Sequence, residues 1–241
     1  MVLATANEPT VIHVTSACTL ATFDGKHAPL PSALAFAGQQ QSSIAHLVSP
    51  PNSDTQGGFQ QILTNPKSYE LKTDGVLLAK KQTVGIWSRD CPIVVIMDAI
   101  RGEVVVCHAG RPAMTPHHHL ADRNYTIITA AVQALTSRGS LLRDLTAYIT
   151  GGICKDCFKH DIVKDAAILA PFKRRFPVAV SATGGLDLIG IIVAELLMQG
   201  LGNHTIVHDR LCTKEHTGLA SKRGGDGPTS SNLTVVIPNH T

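Results

Sequence analysis

Residues 84–111 read VGIWSRDCPIVVIMDAIRGEVVVCHAGR, and this stretch decides the fold. Apolar and β-branched residues fall in three runs: Val84 and Ile86, then Ile93 to Ile96, then Val104 to Val106. Runs of this length and composition are strands. A Cys-Pro corner separates the first two, and the Asp98–Gly102 stretch carries turn residues between the last two. Cys91 follows the first strand; His108 and Arg111 follow the third. A thiol, an imidazole and a guanidinium at the ends of a rigid sheet would suit a functional site. A buried Cys and a strand-end His are also common as plain core residues.

Working outward, Thr10–Thr15 reads as a strand, and residues 24–43, rich in Gly, Pro, Gln and Ser, read as loop. Ile44–Val48 is a short apolar run stopped by Ser49-Pro50-Pro51. Thr73-Asp74-Gly75 is a turn feeding a strand through Leu78. Thr115 as N-cap and Pro116 in the first turn predict a helix whose apolar face carries Leu120, Ile127, Ile128, Ala131, Val132 and Leu135, ending at Gly139. Leu145–Thr150 is a strand. A second helix starts near Leu186 and stops at Gly200. His204–His208 and Leu233–Ile237 are the last strands, with a Gly-rich polar loop between them. Strands interleaved with two long helices predict an α/β fold, a mixed β-sheet sandwich with helices packed on the sheets. The expected organisation is a single domain over residues 1–241.

The chain has 241 residues, 44% of them hydrophobic and 16% charged. That is enough to bury a full core. A formal net charge of +3 and only 4% aromatic residues argue against nucleic acid as a partner. No run reaches the roughly 18 apolar residues of a membrane span. The N-terminus does not read as a signal peptide, so a cytoplasmic location is expected. Six cysteines in a chain of this length point to catalysis, metal binding or burial rather than a disulfide framework. No Gly-rich dinucleotide fingerprint or P-loop is present.

Four constellations could carry chemistry. Cys91 and His108 sit on neighbouring strands, and a thiolate with an imidazole suits either zinc or an activated nucleophile. Cys154-x-x-Cys157 has redox or metal spacing, and a zinc knuckle there would need His160 and another ligand. His117-His118-His119 lies at a predicted helix start, where the three rings point in different directions. Ser221-Lys222-Arg223-Gly224-Gly225 could cradle phosphate through backbone N–H groups and cations.

Taken in order, several short elements resemble one family. They are Thr73-Asp74-Gly75, Ser88-Arg89-Asp90-Cys91-Pro92, His108-Ala109-Gly110-Arg111, Gly152-Ile153 with Cys157-Phe158, Leu186-Asp187-Leu188, Cys212-Thr213 and Ser221-Lys222-Arg223. Their types and order are similar to those of the laccase-domain proteins, also called polyphenol oxidase or YfiH-like, better described as zinc-dependent purine nucleoside phosphorylases. The resemblance implies a YfiH-like fold. It also implies phosphorolysis of adenosine, inosine or guanosine to the base and ribose 1-phosphate, with purine nucleoside and phosphate as partners. It implies zinc held by one Cys and two His, which carries over to Cys91 and His108, with Arg111, Ser221 and Arg223 holding substrate. The family's upstream His has no counterpart in Leu47–Ser53, which leaves His46, one of His117–His119, or none as the third ligand. The Trp of the family's His-Ala-Gly-Trp-Arg-Gly is absent, since Arg111 follows Gly110 directly. Two other readings stay open: a divergent, non-catalytic binding relative with an incomplete metal site, and a Cys91/His108 thiol hydrolase.

Overall fold

The runs on either side of Cys91 pair as their composition requires. In a computed structural model, residues 11–14, 18–24, 35–36, 47–48, 74–78, 84–116, 126–227 and 232–238 are described. The strands are β1 (Val11–Val14), β2 (Cys18–Asp24), β3 (Ala35–Phe36), β4 (Leu47–Val48), β5 (Gly75–Leu78), β6 (Val84–Ser88), β7 (Ile93–Asp98) and β8 (Glu103–His108). They continue with β9 (Leu145–Thr150), β10 (Ile206–His208) and β11 (Asn232–Pro238). The helices are α1 (Arg111–Met114), α2 (Ile127–Thr136), α3 (Ala166–Arg175) and α4 (Leu188–Met198).

Two mixed sheets form, in the orders β1-β2-β11-β6-β3 and β10-β9-β7-β8-β5-β4. Strand β7 is central in the second sheet and is buried on both faces, which is why its sequence is a continuous apolar run. Its side chains alternate in destination. Ile93, Val95 and Met97 join Val104, Val106, Ile86 of β6 and Val236 of β11 in a core between the two sheets. Val94 and Ile96 face the other way, into a core with Ile127, Ile128, Ala131 and Leu135 of α2 and Ile191, Ile192 and Leu196 of α4. The layering is sheet, sheet, helix, as the sandwich reading expected. Among the described residues no helix is long and apolar enough to cross a membrane.

The β7–β8 turn is held by Asp98, whose Oδ1 accepts from the N–H groups of Ile100 (2.9 Å) and Arg101 (3.0 Å). Gly102, at φ +67°, closes it. Helix α4 is capped by Asp187, which accepts from the Gly190 N–H at 2.8 Å, and stops at Gly200, at φ +98°. The three helices of ten or more residues are cross-linked by one buried ion pair. Glu195 is fully buried and accepts from Arg175 (2.9 Å) and from the Thr129 hydroxyl (2.8 Å).

Several boundaries differ from expectation. Thr115 and Pro116 do not open the helix that carries Ile127. The one-turn α1 starts at Arg111 right after Gly110, with Pro112 in its first turn, and Thr115 closes it, its hydroxyl donating to the Arg111 carbonyl at 2.9 Å. Helix α2 is capped instead by Thr126. Helix α3 and strand β2 were not expected, and β3 falls within the segment read as loop. His204 and Thr205 lie in a short 3-10 turn before β10.

Candidate functional site

Three strand ends converge at one edge of the six-stranded sheet. Asp74 precedes β5, Cys91 precedes β7 and His108 ends β8. The β8 pairings bring them together. Ile93 is directly opposite His108, the His108 N–H donates to the Asp74 carbonyl (2.7 Å), and the Ala109 N–H donates to the Pro92 carbonyl (2.8 Å). Gly110 lies against both functional groups: a Cβ there would be 3.1 Å from His108 Cε1 and 3.2 Å from Cys91 Sγ. The thiol and the imidazole therefore share one corner, and a residue without a side chain keeps it open.

His108 Nδ1 is buried and lies 3.6 Å from Asp74 Oδ1; among the described residues neither it nor Asp74 Oδ2 has a hydrogen-bond partner. Burial works against the imidazolium, but Asp74 and the Cys91 thiol outweigh it and raise the His108 pKa to about 9. A carboxylate behind a ligand-type histidine is the usual support for a metal-binding imidazole. The imidazole, the thiol and the carboxylate behind them are the donor types that a metal cation uses. Thiolate and imidazole donors suit zinc and copper alike. A bound ion would be held by Cys91 and His108, with Asp74 orienting the imidazole.

A cavity of about 440 Å³ opens from this corner. Asp74, Cys91 and His108 line one side, and Phe158 and Leu188 give it an apolar wall. Arg89, Arg111, Lys222 and Arg223 also line it. Arg111 is the first residue of α1, with Pro112 next to it in the first turn. The Arg223 guanidinium sits 5.1 Å from the Phe158 ring centroid and donates to the Lys159 carbonyl at 3.0 Å. Four cations and two carboxylates make the cavity positive, a field that draws anions.

One of those carboxylates holds the cationic segment in place. Asp90 Oδ1 accepts from the hydroxyls of Ser221 (2.6 Å) and Thr213 (3.0 Å), and its Oδ2 accepts from the Arg223 N–H (2.9 Å). Asp90 thus ties residues 213–223 to the Cys91 corner. Ser221 is only 1% exposed and does not line the cavity, and its hydroxyl is committed to Asp90.

Of the residues singled out from the sequence, Cys91, His108, Arg111 and Arg223 are brought to one cavity, and Ser221 lies behind its wall. His46 and His117, His118 and His119 lie outside the described residues. Lys222, part of the segment read as a phosphate cradle, lines the cavity too, whereas Asp74, Asp90, Arg89 and Phe158 were not assigned to the site from the sequence. The one signal for Asp90 was its place before Cys91-Pro92, a carboxylate beside a ligand-type thiol. His160, whose Nδ1 bonds Asp165 at 3.2 Å, is not among the ligand-type groups clustered with Cys154 and Cys157. Cys212 and Glu215 lie beside those thiols instead.

A family model described as multi-copper polyphenol oxidoreductase laccase matches residues 35–237. A purine nucleoside phosphorylase of Mycobacterium tuberculosis is 24% identical over 186 residues, covering 76% of this chain and 70% of the relative. A purine nucleoside phosphorylase of Streptomyces griseus is 23% identical over 129 residues, 53% of this chain. An adenosine deaminase designated RL5, from an unknown prokaryotic organism, is 30% identical over 145 residues, 58% of this chain. The matches span about half of the length of these last two relatives, 49% and 52%. The crystal structure of the Bacillus licheniformis protein YfiH superposes with a TM-score of 0.69 at 22% identity, covering 86% of this chain and 75% of that one.

Proposed function

The chain belongs to the multi-copper polyphenol oxidoreductase laccase family, and from that premise we propose that it is a purine nucleoside phosphorylase. The carrying observation is that Arg89, Arg111, Lys222 and Arg223 line one cavity together with the Cys91 thiol and the His108 imidazole. Phosphate is the co-substrate that such a set of cations suits, since guanidinium groups match its oxygens in paired hydrogen bonds. The relatives named as phosphorylases support the same reading.

In this mechanism Arg111, Lys222 and Arg223 hold phosphate, and Phe158 and Leu188 pack against the nucleoside. One phosphate oxygen attacks C1′ of the ribose as the C1′–N9 bond breaks. The electron pair of that bond leaves with the purine, which takes a proton, and the sugar becomes ribose 1-phosphate. Positioning the two substrates together supplies much of the rate. Asp74 fixes the His108 ring, and Asp90, through Ser221 and the Arg223 N–H, fixes the cationic segment. A metal held by Cys91 and His108 would supply Lewis-acid polarisation of a bound oxygen.

The test is steady-state kinetics with inosine, adenosine and guanosine at varied phosphate. Arg223→Gln should raise the KM for phosphate at least tenfold while leaving the nucleoside KM within about twofold. Base release independent of phosphate would overturn the reading. The deaminase relative motivates a second chemistry at the same corner, loss of ammonia from adenosine, and ammonia release in phosphate-free buffer would favour it. Nucleoside binding without turnover would place the chain with non-catalytic relatives. Activity abolished by alkylation of Cys91, with no need for phosphate, would favour a thiol hydrolase.

A further inference from the structure

Behind the cavity wall, two loops leave the same end of the parallel pair β9–β10. They are joined by the Thr213 N–H to the Gly152 carbonyl (3.0 Å) and by the Cys154 N–H to Cys212 Sγ (3.3 Å). Each loop makes the same one-turn bend. The Cys154 carbonyl accepts from the N–H groups of Cys157 and Phe158, and the Cys212 carbonyl accepts from those of Glu215 and His216. One bend therefore presents Cys-x-x-Cys and the other Cys-x-x-Glu. The four ligand atoms of Cys154, Cys157, Cys212 and Glu215 all lie within 4.8 Å of one another.

We propose that these four side chains form a structural zinc site, distinct from the Cys91/His108 corner, that staples the segment bearing Arg223 to the loop bearing Phe158. The three thiols are unpaired. Tetrahedral zinc with thiolates at about 2.3 Å sets sulfur atoms roughly 3.8 Å apart. The four ligand atoms, all within 4.8 Å of one another, are already at most about 1 Å from that spacing. A full set of four protein donors leaves no open position, which marks a structural rather than a catalytic site. Three thiolates with one carboxylate favour zinc over the hard cations. The N–H donated to Cys212 Sγ is a support that ligating sulfurs use. The two bends come from chain positions about sixty residues apart, so the ion would cross-link loops that the sheet only brings near each other. Cys157 adjoins Phe158 of the cavity wall, and Cys212 adjoins Thr213, which Asp90 holds. This inference does not depend on phosphorolysis.

The test uses the full chain with Cys91→Ser and His108→Ala, which removes the other candidate site and leaves these four residues untouched. After loading with zinc and dialysis, it should keep one zinc per chain. Its zinc-edge absorption should show three sulfur neighbours at about 2.3 Å and one lighter atom. Adding Glu215→Cys should shift that count from three sulfurs to four. A protein that keeps no zinc, a shell of nitrogen and oxygen alone, preferential retention of copper, or a Cys154–Cys157 disulfide under reducing purification would each overturn the proposal.

Discussion

Replacing Asp90 by alanine should be the most damaging single change near the cavity that touches no ligand-type residue. The carboxylate accepts three hydrogen bonds, from the Ser221 and Thr213 hydroxyls and the Arg223 N–H. Hydrogen bonds to a charged group contribute roughly 1.5–3 kcal/mol each. Ser221 and Thr213 are 1% and 2% exposed, so water cannot readily replace the lost acceptor for either hydroxyl. Arg223 is exposed, and its N–H recovers part of its loss from solvent. The net cost should be about 4 kcal/mol, the range found when one partner of a buried charged contact is removed. For a chain of this size that lowers the melting temperature by roughly 8–16 °C. Asp90→Asn should cost less, about 2 kcal/mol, because one oxygen still accepts from the hydroxyls and only the Arg223 contact is lost. In a thermal-denaturation cycle with Ser221→Ala, the coupling should be about 1.5–3 kcal/mol. An Asp90→Ala protein melting within 2 °C of the parent, or a coupling near zero, would refute the assignment of Asp90 as the tie between the corner and residues 213–223.

Other perturbations have defined outcomes. Gly110→Ala places a methyl group 3.1 Å from His108 Cε1 and 3.2 Å from Cys91 Sγ; it should lower metal retention at that corner at least tenfold by equilibrium dialysis, with little change in stability. Glu195→Ala leaves Arg175 and Thr129 without their shared acceptor and should destabilise by about 3–5 kcal/mol in urea melts. His160 is held below its ordinary value of 6.5, first by burial and then by Arg111 and Arg223, against the opposing pull of Asp165. The native state therefore takes up this proton less readily than the unfolded chain. Its contribution is present above pH 6.5 and is lost as the pH falls below that value. His160→Gln should flatten the decline of melting temperature on acidification, and an unchanged slope would count against this cause.

The centre of the fold was legible because burial on both faces leaves no room for polar residues in β7, so the pattern itself is the strand. Helix α4 was legible for a similar reason, with Asp187 and Gly200 marking its ends. Strand β2 escaped notice because Thr19, Thr22 and Asp24 dilute its apolar residues, and its pairing with β11, on the side away from its neighbour β1, comes from distant sequence. Helix α3 buries only Leu169 and Phe172 and carries Pro171 inside it, so neither periodicity nor propensity announced it. Thr115-Pro116 has the chemistry of a helix start but ends the one-turn helix Arg111–Met114, whose first turn holds Pro112.

The site divides in the same way. Cys91, His108, Arg111 and Arg223 stand beside strand ends or Gly-rich turns, where local sequence marks them. Asp90 was not legible as a hub, since its partners Thr213, Ser221 and Arg223 lie 123 to 133 positions away. For the same reason Ser221 read as a phosphate ligand when its hydroxyl is spent inside the wall. Cys154 and Cys157 looked incomplete because the side chains beside them, Cys212 and Glu215, come from the loop after β10, 58 positions on from Cys154 to Cys212.

The most direct test of the account is mass-spectrometric detection of ribose 1-phosphate from purified full-length chain incubated with inosine, with and without phosphate. The account predicts ribose 1-phosphate and hypoxanthine in equal amounts with phosphate and neither without it. Free ribose, ammonia, or no product at any phosphate concentration would contradict it.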